Sequence, residues 1–406
     1  VSASWRLSDE AFLRDGPFST LSLRAGWGRQ GNQAVRPYGT QLLLRTNNNA
    51  RYPFGGEVIT GFAADQVANP NLKWETAEQV NIGLDYGFAD SRFTGSFELY
   101  QKNTRDLLLD APVAQPAVVA TRLENIGSLR NRGLEAAFDA QILRGGQGRA
   151  ALSSGLVLTV ERNQVTELGL GREFLITASV SGQGQSGRFA QRLIPGQPIG
   201  TFWGPQFVGF DAQGRQQFAC SRQAADCQGG RTTAPTGDDE RIIGDANPAF
   251  SLGLRSNATW RRFDVSWLWR GELGRDVFNN TSLVFSTTSN AAQGRNFLSS
   301  ALSQQDAFGQ PAIYSSRWIE DGSFVRLQNM TLGYTFTLPA LRGGASRDVR
   351  VYVSGDNLLL FTEYSGLDPE VFVRAGDGLT GVASRGVDYL AYPRARTFIV
   401  GTRLQF

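Results

Sequence analysis

The segment EQVNIGLDYGF, residues 78–88, sets Val80, Ile82, Leu84, Tyr86 and Phe88 on one side of an extended chain and Gln79, Asn81, Gly83 and Asp85 on the other. Alternation with period two demands a strand with one apolar and one polar face. The pattern recurs. Leu134, Ala136, Phe138, Ala140 and Ile142 oppose Glu135, Asp139 and Gln141, while Met330, Leu332, Tyr334 and Phe336 oppose Thr331, Gly333 and Thr335. The spacing predicts strands at about 8–10, 20–32, 76–88, 92–109, 125–142, 149–162, 248–260, 263–278, 324–338, 349–361 and 394–406, and the opening VSASWRLS also reads as strand. Most are longer than the roughly 5 to 6 residues usual in soluble sheets and suit membrane strands of about 9 to 11.

The connectors fall into two kinds that alternate. ADS at 89–91, RGGQG at 144–148 and RR at 261–262 are short enough for tight hairpins, whereas 33–75, 110–124, 163–247, 279–323 and 362–393 are long. Short turns at one end and long loops at the other characterise an outer-membrane barrel. The expected class is therefore all-β, an antiparallel transmembrane barrel with periplasmic turns and extracellular loops. Parity then allows 163–247 either no crossings or two; Pro195, Pro198 and Pro205 favour one large external loop. Val80, Ile82, Leu84, Leu332, Tyr334, Phe398 and Val400 should face lipid, and Gln79, Asn81, Asp85, Thr331 and Arg403 the lumen. Trp27, Tyr86, Phe88, Phe93, Trp267, Trp269, Phe336 and Phe406 sit near strand ends, where a barrel carries aromatic girdles and a soluble protein would carry core.

Composition narrows the function. A mean hydropathy of -0.25 looks soluble, yet strands that alternate lipid-facing with lumen-facing residues average to such values. The net charge of +3 comes from arginines scattered singly, with Lys73 and Lys102 as the only lysines, so nothing resembles a nucleic-acid arm. The chain has no histidine, which removes Ser-His and Cys-His nucleophilic sites and leaves no evident catalytic residue. Cys220 and Cys227, in the polar stretch CSRQAADC, lack companions for a zinc site; they suit a local disulfide in an oxidising compartment or two surface thiols.

Longer strings carry a resemblance. NPNLKWETAEQVNIGLDYGF, RFTGSFELYQKNTRDLLL, ENIGSLRNRGLEAAF, GQPIGTFWG, RIIGDANPAFSLGL, RWIEDGSFVRLQNMTLGYTF and VYVSGDNLLLFTEYSGLDPEV occur in that order across nearly the whole chain. In content and order they resemble the C-terminal barrel of the SusC/RagA class of TonB-dependent outer-membrane transporters. The resemblance implies that Phe398, Val400, Leu404 and Phe406 form a terminal signal for the barrel-assembly machinery, in the outer membrane of a Bacteroidota-like bacterium. It implies about 22 strands in the complete barrel, of which residues 1–406 would supply about eleven. The plug domain and N-terminal strands would then lie outside this chain, which opens at Val1 without a signal peptide or start methionine.

Import of an oligomeric nutrient, oligosaccharide or peptide, follows as the implied function. A SusD-like lipoprotein would lie over the long loops, and the TonB-ExbB-ExbD complex would act through the missing N-terminal part. A docking scaffold in a larger surface assembly is the alternative. Within the loops, Phe202, Trp203 and Tyr364 offer rings that either stack on sugar or pack the loops together. Asp238, Asp239, Glu240 and Asp245 offer oxygens for calcium, although without EF-hand spacing. No other cofactor is suggested. Trp74, Glu75 and Asn357 read as loop anchors and strand-end packing.

Overall fold

A computed structural model describes residues 1–33, 35, 37–114, 116–146, 148–169, 171–303, 311–339, 347–371 and 384–405. Eleven strands pair in chain order into one antiparallel sheet. They are β1 (Ser2–Arg6), β2 (Phe18–Asn32), β3 (Glu75–Phe88), β4 (Phe93–Arg105), β5 (Ser128–Gly146), β6 (Arg149–Glu167), β7 (Phe250–Trp260), β8 (Phe263–Leu273), β9 (Phe324–Leu338), β10 (Arg347–Thr362) and β11 (Thr397–Gln405). Because β6 pairs directly with β7, the excursion between them contributes no strand to this sheet, as its prolines suggested.

Residues directly opposite on neighbouring strands share a face, so the register sorts the side chains. Ile82, Leu99, Leu134 and Val160 form one cross-strand row, and Leu84, Phe97, Ala136, Leu158 and Leu252 the next. On the far side of the sheet, Leu332 pairs with Val353 and Val353 with Val400. Many of these apolar residues are uncovered by protein: Ile82 is 54% exposed, Leu99 57%, Phe398 69% and Val400 74%, whereas the small Ala136 is covered. Such exposure over a whole sheet face requires an apolar solvent. Aromatic pairs gather toward the short-turn end of that face, with Phe88 and Phe93 rings 5.1 Å apart and Phe263 and Tyr334 4.8 Å apart. Phe406 lies outside the described residues.

The opposite face is polar and internally paired. Arg24 donates to both Asp85 oxygens at 2.6 and 3.0 Å and reaches Glu98 at 3.6 Å, while Asn81 donates to Glu98 at 3.1 Å. Arg350 donates to Asp264 at 2.9 Å, and Arg255 to Asp139 at the same distance. Glycine makes room for these bridges. A Cβ at Gly333 would sit 2.5 Å from Asp264 Oδ1 and 2.6 Å from Arg350 Nε, so a side chain there would displace the pair. All the face assignments expected for Gln79 through Leu84, Asp85, Thr331, Leu332, Tyr334, Phe398, Val400 and Arg403 agree with this register.

The differences from expectation are at strand ends. Residues 8–10 are not strand: Leu7–Asp9 forms a 3-10 turn after β1. The strand expected at 92–109 stops at Arg105 because Asp106 turns to φ 56°, and Leu108–Pro112 pairs in a separate hairpin with Thr121–Asn125. The strand expected at 263–278 stops at Leu273, where Gly274 has φ 71°, and Asp276–Asn279 joins a loop sheet. Both long overestimates run through a left-handed residue that breaks the alternation. β5 and β6, conversely, extend to 19 residues each.

Candidate functional site: a capped lumen

The long loops fold over one end of the polar face. Leu175–Ser179, Phe189–Leu193, Thr201–Pro205 and Glu240–Asp245 form a four-stranded sheet in that order. A second loop sheet joins Ile319–Asp321, Asp276–Asn279 and Val387–Asp388, the last two in parallel. The two share a core. Phe202, Phe278, Leu283, Tyr314, Trp318 and Val387 are buried together, with the Phe278 and Tyr314 rings 4.8 Å apart. Tyr314 donates its hydroxyl proton to the Ala190 carbonyl at 2.8 Å, and burial first, then Glu240, pushes its pKa well above the ordinary phenolic value. Gln191 donates to the Arg385 carbonyl at 2.7 Å. Chain segments around 190, 278, 314 and 387 thus make one cap.

A smaller apolar cluster seats the cap on the wall. Leu109, Ile126, Leu168, Leu175 and Leu193 pack with Val165 of β6, and Leu129 of β5 adds to them. Val165 and Leu129 are register partners on the polar face, which identifies that face as the lumen the loops close over. Asn163 holds the cap from the wall, accepting from Ile199 N at 2.6 Å and donating to Asn247 at 3.1 Å.

Beside this contact is a cavity of about 960 Å³. It lies across β3 to β6 and is lined by residues of both faces, with Ile82, Leu99, Arg132 and Arg162 of the outer face alternating with Tyr100 and Glu161 of the polar face, and it is bordered by Gly196–Pro198, Asn247 and Gly274. The Tyr100 ring lies against Gly133, where any Cβ would collide with it. The polar face at this level offers a phenol at Tyr100, a carboxylate at Glu161 and amides at Asn81 and Asn163, that is, hydrogen-bond donors and acceptors beside an aromatic edge. Such a surface suits a flexible polar solute with many hydrogen-bonding groups.

The residues singled out by sequence are placed differently. Phe202 is fully buried in the cap, and Tyr364 is 5% exposed, packed with Val277 and Val371. Tyr364 donates to Asp388 at 2.6 Å; burial and that carboxylate raise its pKa strongly. Both rings are spent on packing because their neighbours come from loops far away in sequence. Trp203 faces Arg192, whose guanidinium stacks 4.7 Å from it and 4.3 Å from Phe174. Burial lowers the Arg192 pKa, and Glu240, which accepts from Arg192 at 2.6 Å, opposes that.

Most of the acidic residues offered for calcium have other partners. Glu240 is held by Arg192 and lies 3.5 Å from Arg188, Asp239 accepts from Arg222 at 2.9 Å and from Thr236 N at 2.9 Å, and Asp245 accepts from Asn247. Asp238 is exposed. Asp239, Glu240 and Asp245 are thus each engaged by a cation or an amide. Among the described residues no group of three or more His, Cys, Asp or Glu is arranged to hold a metal ion.

Cys220 and Cys227 are joined by a disulfide, and Arg222 within that loop spans Asp226 at 2.5 Å and Asp239 at 2.9 Å. Burial works against the charge on Asp239, but the Thr236 amide and Arg222 outweigh it and hold the carboxyl below its usual range. Asn357 adopts φ 55° and bridges, accepting from Arg326 at 2.6 Å and donating to the Arg394 carbonyl at 2.8 Å. Glu75 accepts from Asn32 and from the Leu108 amide at the loop base.

Arg326 was not distinguished by sequence. It is fully buried, donates to Asp368 at 2.6 Å and lies 3.2 Å from Glu370, which also meets Arg270 and Arg394. Its strand position alone reads as one more lumenal arginine; its carboxylate partners Asp368 and Glu370 lie more than forty residues away.

Comparison with known proteins agrees with this architecture. The family described as TonB dependent receptor-like, beta-barrel matches residues 1–358. TonB-dependent receptor P3 of Formosa agariphila is 30% identical over 422 residues, covering 99% of this chain and 41% of that protein. TonB-dependent receptor SusC of Bacteroides thetaiotaomicron is 30% identical over 423 residues, covering 100% of this chain and 40% of that one. A solved structure of the RagAB peptide transporter superposes with a TM-score of 0.80 at 22% identity, covering 100% of this chain and 43% of the other. The chain spans about two fifths of the length of the relatives it matches.

Proposed function

Since the chain belongs to the TonB-dependent receptor-like β-barrel family of the outer membrane, we propose that it forms one wall and the extracellular cap of a transporter that imports an oligomeric nutrient. The observation that carries this reading is the polar face that the cap closes over, along which Arg24 pairs with Asp85, Asn81 with Glu98, and Asn163 ties the wall to Asn247. Its polar groups lie along a wall rather than around a point, which fits a chain-like oligosaccharide or peptide better than a compact ion. The relatives include one named SusC and a fold neighbour titled a peptide transporter. By analogy, a SusD-like lipoprotein would sit on the cap, and TonB-ExbB-ExbD would drive uptake through a plug in the remainder of the protein. Assembly would proceed through the barrel-assembly machinery, with Phe398, Val400 and Leu404 in the strand it recognises.

The test is uptake of labelled oligosaccharides and oligopeptides by cells carrying the full-length protein, with and without an uncoupler. Energy-dependent uptake that falls in Tyr100→Ala and Glu161→Gln variants supports import. Uptake unchanged by deleting the gene, with loss of a surface complex instead, would favour the scaffold reading and remove this one.

A further inference from the structure

One row of the outer face breaks the apolar pattern. Val80, Gln101, Arg132 and Arg162 are opposite one another across β3 to β6, and the row beyond it includes Asn103, Arg130 and Gln164. Just below lie Ile82, Leu99, Leu134 and Val160, the first row of the apolar band. Arg132 and Arg162 are direct cross-strand partners, a like-charge juxtaposition that weakens a sheet. Arg132 donates to Gln101 at 2.8 Å and Arg130 to Asn103 at 3.4 Å, which hold the guanidinium groups but do not neutralise them. Among the described residues none of the three arginines forms a salt bridge. Glu78 on this face accepts instead from Trp27 at 2.9 Å. Arg132 and Arg162 are exposed.

The position bears on what these guanidinium groups would bind. These side chains are on the membrane face, at the long-loop end, where the apolar band gives way to polar residues; that is headgroup level in the outer leaflet. Guanidinium groups bind phosphate through two parallel hydrogen bonds. We propose that Arg130, Arg132 and Arg162 form a binding site for the phosphate-bearing headgroup of an outer-leaflet glycolipid. Its acyl chains would lie along Leu134 and Val160, and the phosphate would relieve the repulsion between Arg132 and Arg162.

The test uses the full-length protein in mild detergent, with retained lipid read by native mass spectrometry. The probes are a bis-phosphorylated lipid A, its dephosphorylated form and inorganic phosphate. The wild type should retain the phosphorylated glycolipid and not the dephosphorylated one. An R132Q/R162Q variant, checked for folding by heat-modifiable migration, should bind about tenfold more weakly or worse, having lost two charge-assisted contacts. Arg261→Gln at the opposite rim should change nothing. In the wild type, retention should also fall as salt is raised. In lipid-free detergent Arg162→Gln should raise the unfolding temperature, and added glycolipid should stabilise the wild type more than the variant. Equal retention of both lipid forms, or unchanged retention in the double variant, would overturn the site. Displacement by millimolar inorganic phosphate would overturn its assignment to a lipid.

Discussion

At the residue scale, the buried charges of the cap distinguish structure from surface decoration. Arg326 is the largest fully buried side chain, and its guanidinium spans Asn357, Asp368 and Glu370. Removing one member of a buried ion pair strands the other charge, at a cost of about 3 to 5 kcal/mol. Arg326→Met should therefore destabilise the docking of 363–371 by that order, read as proteolytic sensitivity of this loop, and adding Asp368→Asn and Glu370→Gln should restore much of the loss. Equal damage in the triple variant would mean that Arg326 acts through packing alone. Asp276 makes the opposite case. Burial chiefly raises its pKa, with Asp245 and Asp321 adding to the shift and a hydrogen bond from the Asp245 amide at 2.7 Å opposing it. A carboxyl raised in the folded state binds its proton more tightly there, so its charge penalises folding above the folded pKa, and the penalty fades as pH falls toward the unfolded value of about 3.9. Asp276→Asn keeps an oxygen to accept from that amide. It should stabilise the cap at pH 7, with the advantage shrinking as the medium is acidified, as measured by hydrogen exchange at 276–279 and 319–321. A stabilisation independent of pH would exclude the charge as its cause.

At the element scale, each wall strand is a boundary between two solvents. Leu84 lies in the middle of an apolar cross-strand row, whereas Thr331 on the other face shares a 2.8 Å hydrogen bond with Ser354. Leu84→Arg should cost about 2 to 4 kcal/mol in folding into lipid vesicles, the range for a cation near the bilayer midplane. Thr331→Ala should cost about 1 kcal/mol, one hydrogen bond. Comparable costs would mean that the two faces meet similar surroundings. This asymmetry is also why the wall was legible in the sequence. A strand in contact with two different solvents must alternate, so Val80 to Phe88 and Met330 to Phe336 announce both strand and face without knowledge of any neighbour. The cap follows no such rule. Phe202 is buried by Phe278 and Tyr314, more than seventy residues away, and Leu108–Pro112 leaves the alternation of β4 to pair with its own hairpin. Those contacts depend on how loops meet in space, which periodicity does not encode. The partners of the acidic run at 238–240 were hidden for the same reason, because Arg192 and Arg222, which pair with Glu240 and Asp239, come from other turns.

At the scale of the whole molecule, the sheet has two edges. β1 pairs only with β2, and β11 only with β10, so the eleven strands form an open wall among the described residues. In hydrocarbon an unpaired backbone N–H or C=O costs several kcal/mol, which is why membrane sheets close. The free side of β11 presents such groups along Thr397–Gln405, beside side chains as exposed as Val400. Two copies of this wall could close on each other, or the strands of a longer polypeptide could complete the ring. The relatives are more than twice as long as this chain, and that length accommodates the second arrangement. We therefore expect residues 1–406 to behave as one wall of a larger barrel, with β1 and β11 each paired to strands outside this stretch. In the full-length protein the amides of 397–405 should be protected from hydrogen exchange on both sides of the strand, and the folded barrel should migrate as a monomer. The 406-residue polypeptide alone, refolded into vesicles, should give no heat-modifiable monomer and should leave 397–405 exchanging quickly. A stable monomer of this segment with β11 protected would sink the argument, since β11 would then have found its partner within these residues.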